Sequence, residues 1–565
     1  MGTAADKSQS ILSADRAPHG SEWRWVGVFA GVVMLLTSVP YFIGFQRALS
    51  WEGTDGWRFS GFVFGVEDGN SYIAKMRRGM EGEWLFRSPY SGMEQKGVMA
   101  FFPYYLLGKL VGGKATHEQL VVLFHWFRIG SGILCILATY RLLCEYLTKV
   151  SWRRLALVLI SVGGGLGWLS LALPHFHVLP LEFYSPEAFG FLSLYALPHL
   201  NFARAFLLLT VVEYLQLWRE RRGWERGVNC VRMGLYWLLA GLFQPIHAGI
   251  AAFLFSVHLF VVAVSRFLGW IKEVSRQRFI TTLLSFLPAA APALLLLVYT
   301  GVCFLTDPYL KIWAMQNRLP TAPLSAYGLS YGWLLPFAVG EIRRLREGAQ
   351  AKELLLPIWL GVGFALILVP IPIQRRLVEG VWVILVLLSL KFLESLPWFV
   401  DQPKRFRGLI GLVLICSLPS SLLLVWGGVQ SASVIRSPLF LPEHAAKGFE
   451  YLDSLERARD AIVLASYSTS NALPAYAFVR VIIGHGPESP FVERVSAQVA
   501  QFFEEETTDA FRKALIREHQ IQYVIWGENE RKLGEWRPST ANYLIPIYQD
   551  QALSIFEVDR EKLAH

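Results

Sequence analysis

The sequence predicts a mainly α-helical, polytopic membrane protein carrying a small C-terminal extracytoplasmic α/β domain, and three observations predict it. Hydrophobic residues make up 53% of the 565-residue chain and charged residues only 17%, a balance too apolar for a soluble chain of this length. Apolar runs of about 20 residues recur, each long enough to cross a hydrocarbon core of ~30 Å as a helix that satisfies its own backbone. After about residue 436 the composition turns to that of a soluble domain.

The first run, 25–45, follows a polar N-terminal tail, 1–24. It is longer than the apolar region of a signal peptide and lacks a small-residue cleavage site after it, so it is expected to stay as a span. Further spans are expected near 118–146, 155–174, 203–218, 229–245, 247–265, 279–304, 324–340, 354–371, 377–396 and 408–428, about eleven crossings in all. Basic clusters follow every second span: Lys149, Arg153 and Arg154; Arg219, Arg221, Arg222 and Arg226; Arg266, Lys272, Arg276 and Arg278; Arg343, Arg344, Arg346 and Lys352; Lys404, Arg405 and Arg407. They mark the cytoplasmic side, which puts the N-terminus inside the cell and residues 429–565 outside. The net charge of +9 therefore follows from topology and not from a nucleic-acid partner, because the cations lie in short clusters between spans. The five cysteines fall in or beside apolar runs, which implies no disulfide framework.

The expected transmembrane region, 25–428, leaves four segments facing outward: the long first loop 46–117, then 175–202, 305–323 and the turn "PIPIQRRLVEG" at 370–380. The first loop contains "VEDGNSYIAKMRRGMEGEWLF" (66–86). Glu67 and Asp68 precede an expected amphipathic helix, with Asn70 or Ser71 as its cap. Acids there serve either the helix start or a cavity at the membrane boundary. "MAFFPYYLLGKLVG" (99–112) is apolar and too short for a span, and is expected along the interface.

The second outer loop supplies Glu187, His199, Asn201 and Arg204 among aromatics; the third supplies Asp307, Lys311, Trp313, Gln316, Asn317 and Arg318. Aromatic faces beside amide and cationic donors suit sugar rings, hydroxyls or a phosphate, and equally an interfacial belt. Arg375 and Arg376 break the charge pattern of the outer turns. They call for an anionic ligand, lipid phosphate or Glu379 as partner. Inside the spans the ionisable residues that stand out are Arg128, Glu213 and His247.

In the C-terminal domain, 460–466, 478–485, 522–528 and 543–558 read as strands, the last as a hairpin, with helices near 441–458 and 496–519. The stretch 467–486 shows only strand and turn chemistry. No internal repeat, phosphate-binding glycine loop or Cys/His metal pattern is present in the sequence.

With its first span, long outer loop opening on an acidic pair, alternating spans and terminal outer domain, the sequence resembles the GT-C superfamily of membrane glycosyltransferases. "PEAFGFLSLYALPH", "DPYLKIWAMQN" and "QRRLVEG" resemble a bacterial subgroup. The resemblance implies a polyprenyl-phosphate-linked sugar as donor and a glycan, lipid or protein acceptor, with the chain in the bacterial inner membrane. It implies that Asp68, with Glu67 as its alternative, is the general base on the acceptor hydroxyl, and that Arg375 and Arg376 bind the departing lipid phosphate. The implied chemistry is a single inverting displacement. Some members hold a divalent cation on such acids, for which Glu67, Asp68 and Glu187 offer hard oxygen ligands. The pair is Glu-Asp here where several branches have Asp-Asp or Asp-Glu, so the resemblance leaves open which carboxylate reacts.

Other readings make different demands. A transporter or flippase would use Arg128, Glu213 and His247 as its pathway and would show inverted repeats. A non-catalytic scaffold would use the acids as helix caps, and a polymer ligase would place its long outer loop late in the chain.

Overall fold

The computed structural model describes residues 18–172, 178–219, 223–271, 273–345, 350–399 and 402–564, except 52, 54 and 55. Residues 1–17 of the N-terminal tail and the basic residues Arg221, Arg222, Lys272 and Arg346 lie outside the described residues. The chain divides into two compact units. One comprises Met1–Ser38, Phe127–Thr300 and Leu319–Trp426, the other Val39–Trp126, Gly301–Arg318 and Gly427–His565.

The protein is a multi-pass, mainly helical membrane protein, and each apolar run of the sequence contains helix. Among the described residues, five helices are long and apolar enough to cross a bilayer alone: Gly20–Leu49, His117–Tyr146, Pro198–Leu217, Pro245–Phe267 and Arg276–Thr306. Pro403–Ser417 and Pro419–Ser433, bent by 44° where they meet, qualify as a pair. The remaining expected spans are helices that are shorter or more polar, among them Val150–Val162, Gly223–Phe243, Ala351–Leu366 and Val381–Ser395.

The first unit has one large apolar core. Val381–Ser395 lies within it, apolar all round over 381–388 and buried along nearly its whole length, as a helix without a polar stripe there must be. Several buried charges inside this unit are paired. Arg153 meets Glu22 at 3.1 Å, and Lys391 meets Glu341 at 3.0 Å and Glu353 at 2.8 Å. Arg128 donates to the Thr37 hydroxyl at 3.0 Å and the Ser38 hydroxyl at 2.6 Å.

The second unit joins the first loop to the C-terminal residues. Strand β1 (Trp57–Phe59) pairs antiparallel with β2 (Phe440–Pro442), Arg58 opposite Leu441. Five further strands form one sheet: β3 (Ile462–Leu464), β4 (Arg480–Val481), β5 (Tyr523–Trp526), β6 (Leu544–Gln549) and β7 (Ser554–Val558), in the order β4-β3-β5-β7-β6. β4, β3 and β5 run parallel, and the β6–β7 hairpin closes the edge antiparallel. Helices Val492–Phe503 and Asp509–Glu518 supply Val495, Val499, Phe502, Leu515 and Ile516 to the sheet's core.

Two expectations are corrected here. The 467–486 stretch is not only strand and turn: Tyr467–Tyr476 is a helix, whose start is capped by the Ser466 hydroxyl accepting from the Thr469 amide. The helix of the first loop is Val66–Met80, so Glu67 and Asp68 sit in its first turn and neither Asn70 nor Ser71 caps it. Its N-cap is Gly65 at φ 59°, a left-handed conformation that glycine adopts without strain.

Val66–Met80 packs closely against Phe102–Val111 through glycines. A Cβ on Gly108 would lie 1.8 Å from the Met76 carbonyl oxygen, and one on Gly79 would lie 2.2 Å from that of Tyr105. Gly108→Ala is therefore expected to destabilise the protein by about 1–3 kcal/mol, the usual penalty of overpacking. The check is the thermal unfolding midpoint of the detergent-solubilised full chain, which should fall by several degrees.

Candidate functional site

The helix carrying the acidic pair is buried from Gly69 to Met80, while Glu67 and Asp68 are exposed at its N-terminal turn. A helix buried this deeply carries three cations, Lys75, Arg77 and Arg78, and each is matched within the same unit. Lys75 meets Glu488 at 2.5 Å, Arg77 meets Asp453 at 3.1 Å, and Arg78 meets Glu83 at 2.9 Å and Asp460 at 2.8 Å. These pairs fix the helix to the C-terminal residues. They leave its first turn projecting.

From Asp68 a line of ionisable groups runs inward. Its carboxylate lies 3.0 Å from His485 Nε2; His485 Nδ1 lies 3.7 Å from Glu488; and Glu488 pairs with Lys75. The Asp68 side chain is 53% exposed and that of His485 only 5%. Glu488 also accepts from the Ser71 hydroxyl at 2.7 Å and the Ser88 hydroxyl at 2.8 Å. Although burial opposes ionisation, Lys75 and His485 hold the Glu488 carboxyl below the usual carboxylate range.

Glu67 turns to a different partner, accepting from the Tyr467 hydroxyl at 2.9 Å. Burial, and then the Glu67 carboxylate, push the Tyr467 phenol upward, so it stays a donor at neutral pH. Glu67 is also on the wall of a cavity of about 600 Å³ within this unit.

Residues 307–318, in the same unit, hold this arrangement in place. Asp307 caps the helix Pro308–Gln316, accepting from the Leu310 amide at 3.0 Å. Gln316 donates to the Ser489 carbonyl at 2.7 Å and accepts from the Phe491 amide at 3.1 Å, bracing the loop that carries His485 and Glu488. Tyr309 donates to the Glu488 carbonyl at 2.9 Å. Lys311 and Arg318 are exposed, Asn317 is the C-cap of the same helix, and the Arg318 guanidinium donates to the Met315 carbonyl at 3.1 Å.

In the other unit, Arg375 and Arg376 occupy a short 3-10 turn, Gln374–Val378, both half-buried. Their partner is not Glu379. That carboxylate takes two hydrogen bonds from Arg204, at 2.6 and 2.8 Å, and lies 3.3 Å from His247. Arg376 instead lies 3.4 Å from Glu187, and the Arg375 guanidinium stacks over Tyr184 at 4.9 Å, its buried Nε without a hydrogen-bond partner. His199 is the second residue of Pro198–Leu217.

Among the described residues no three His, Cys, Asp or Glu side chains are grouped to hold a metal, and Glu67, Asp68 and Glu187 each face the partners named above. His485, Tyr467, Glu488 and Lys75 were not singled out from the sequence. The one signal was a set of cations interrupting the apolar face of the 66–80 helix.

The structure is similar to that of the oligosaccharyltransferase of Archaeoglobus fulgidus with a tethered acceptor peptide: TM-score 0.51, 13% identity, 89% of this chain and 69% of that one. It is similar to the same enzyme, AglB, in complex with an inhibitory peptide and a dolichol-phosphate, at TM-score 0.50, 13% identity and coverages of 90% and 70%. The mycobacterial arabinofuranosyltransferase AftD matches at TM-score 0.58 and 13% identity, over 94% of this chain and 41% of its own length. No protein-family sequence model matches the chain, and no curated protein sequence does. The chain thus has the GT-C fold of these membrane glycosyltransferases.

Removing one member of the buried pair strands the other. Lys75→Met is expected to destabilise the protein by about 3–5 kcal/mol, and Lys75→Met/Glu488→Met by much less than the sum of the two single changes. Because the folded-state value of Glu488 is lowered, its stabilisation is present above its ordinary value of 4.5 and is lost as pH falls through the lower folded value. Thermal midpoints measured from pH 7 to pH 3 should therefore decline in acid for the native chain and decline less for Glu488→Gln.

Proposed function

We propose that this protein is a GT-C-type glycosyltransferase that moves a sugar from a polyprenyl-phosphate donor to an acceptor hydroxyl on the extracytoplasmic face of a bacterial inner membrane. In this reading residues 25–428 form the transmembrane domain, 429–565 the outer domain, and the N-terminus is cytoplasmic, as the spacing of basic clusters requires. The fold supports it, and so do its neighbours, one an arabinofuranosyltransferase and another solved with a dolichol-phosphate.

The observation that carries the reading is the Asp68 carboxylate, exposed at a helix start and tied to a buried imidazole. Asp68 takes the acceptor proton as the acceptor oxygen bonds to the anomeric carbon. The bond from that carbon to the phosphate oxygen breaks, and polyprenyl phosphate leaves with the electron pair. Arg375 and Arg376 stabilise the leaving phosphate. A stacked, half-buried guanidinium with a free N–H is suited to that charge. The attack comes from the face opposite the leaving group, so the configuration inverts and no covalent enzyme intermediate forms.

The test uses proteoliposomes of the full chain, radiolabelled polyprenyl-phosphate monosaccharides and an envelope-glycan extract as acceptor. Asp68→Asn should lower transfer by about 10²–10⁴-fold with an unchanged thermal midpoint, the usual worth of a general base. Arg375→Ala/Arg376→Ala should raise KM for the donor. Full transfer by Asp68→Asn would sink the assignment.

A further inference from the structure

We infer that the cavity beside Glu67 is a carbohydrate site that holds the acceptor as a short oligosaccharide. The inference deepens the glycosyltransferase reading and rests on it for the acceptor role. The cavity lies wholly within the unit that carries the outer domain, and its volume of about 600 Å³ is in the usual range of small-ligand sites.

Its walls mix two chemistries. Trp57 and Tyr467 offer half-buried ring surfaces, and Glu67 and Asn529 offer acceptors and donors. Sugars match that mixture, with C–H faces that lie on aromatic rings and hydroxyl edges that need amide and carboxylate partners. A lipid chain would instead leave these polar side chains buried against hydrocarbon.

Tyr467 and His444 also line the cavity and are only half-buried, so their rings and polar atoms are within reach of a ligand. The rim carries both signs of charge: Arg436 is exposed, and Lys532 pairs with Glu528 at 2.7 Å. That balance favours a neutral ligand over a polyanion.

The site also separates the duties of the acidic pair. Glu67, held by Tyr467, faces the cavity and grips an acceptor hydroxyl. Asp68, the next residue, faces His485 and takes the proton.

The experiment applies the full chain in nanodiscs to arrays of immobilised oligosaccharides and, in parallel, of random peptides. The native chain and Asp68→Asn should bind the same glycans. Ser468→Trp, which places a large side chain in the cavity from an exposed position, and Asn529→Ala should each bind them roughly tenfold more weakly or worse, with unchanged thermal midpoints. Three outcomes would overturn the inference: no glycan bound by the native chain, binding unaffected by both variants, or binding to peptides alone. If glycans bind as expected but Asp68→Asn transfers sugar at the native rate, the site stands and the catalytic reading fails.

Discussion

A buried charge must be matched, and the unit that joins the first loop to the C-terminal residues is organised by that demand. Lys75 is fully buried, and only an anion at contact distance makes that tolerable. Glu488 is that anion. It reaches Lys75 from a loop braced by Gln316 and Tyr309, and it accepts from Ser71 and Ser88 as well. Arg77 and Arg78 repeat the device with Asp453 and Asp460. A helix from the first loop is thereby fixed in register with the C-terminal residues, and Asp68 is presented at its free end.

The same constraint accounts for the site's electrostatics. His485 stands between Asp68 and Glu488, so the exposed carboxylate is backed by an imidazole and then by a neutralised ion pair. A carboxylate held this way keeps its orientation without being desolvated, since its side chain stays half-exposed. Glu67, one residue earlier, points to Tyr467 and the cavity. Consecutive residues on a helix diverge by about 100°, which is why two adjacent acids hold different company.

The helical class, the positions of the apolar runs and the strands of the C-terminal domain were legible because hydrophobic periodicity is a local property. β5 and the β6–β7 hairpin fall within the stretches expected from alternation and turn residues. Tyr467–Tyr476 was hidden because its cap, Ser466, ends a strand-like run. Asp68 was legible as an acid at a helix start, but His485 was not: 417 positions separate the two, and nothing local to "IIGHGPESP" signals a partner in the first loop. Arg375 and Arg376 were legible as misplaced charge. Their partners were not, because Glu379 beside them in sequence is claimed by Arg204 and His247.

The anomeric configuration of the transferred sugar tests the proposed single displacement assisted by Asp68 most directly. Nuclear magnetic resonance of the product formed from a polyprenyl-phosphate donor of known configuration gives the answer. The account predicts inversion at the anomeric carbon. Retention would contradict it, because retention requires a second displacement and a nucleophile that Asp68, as a base, does not provide.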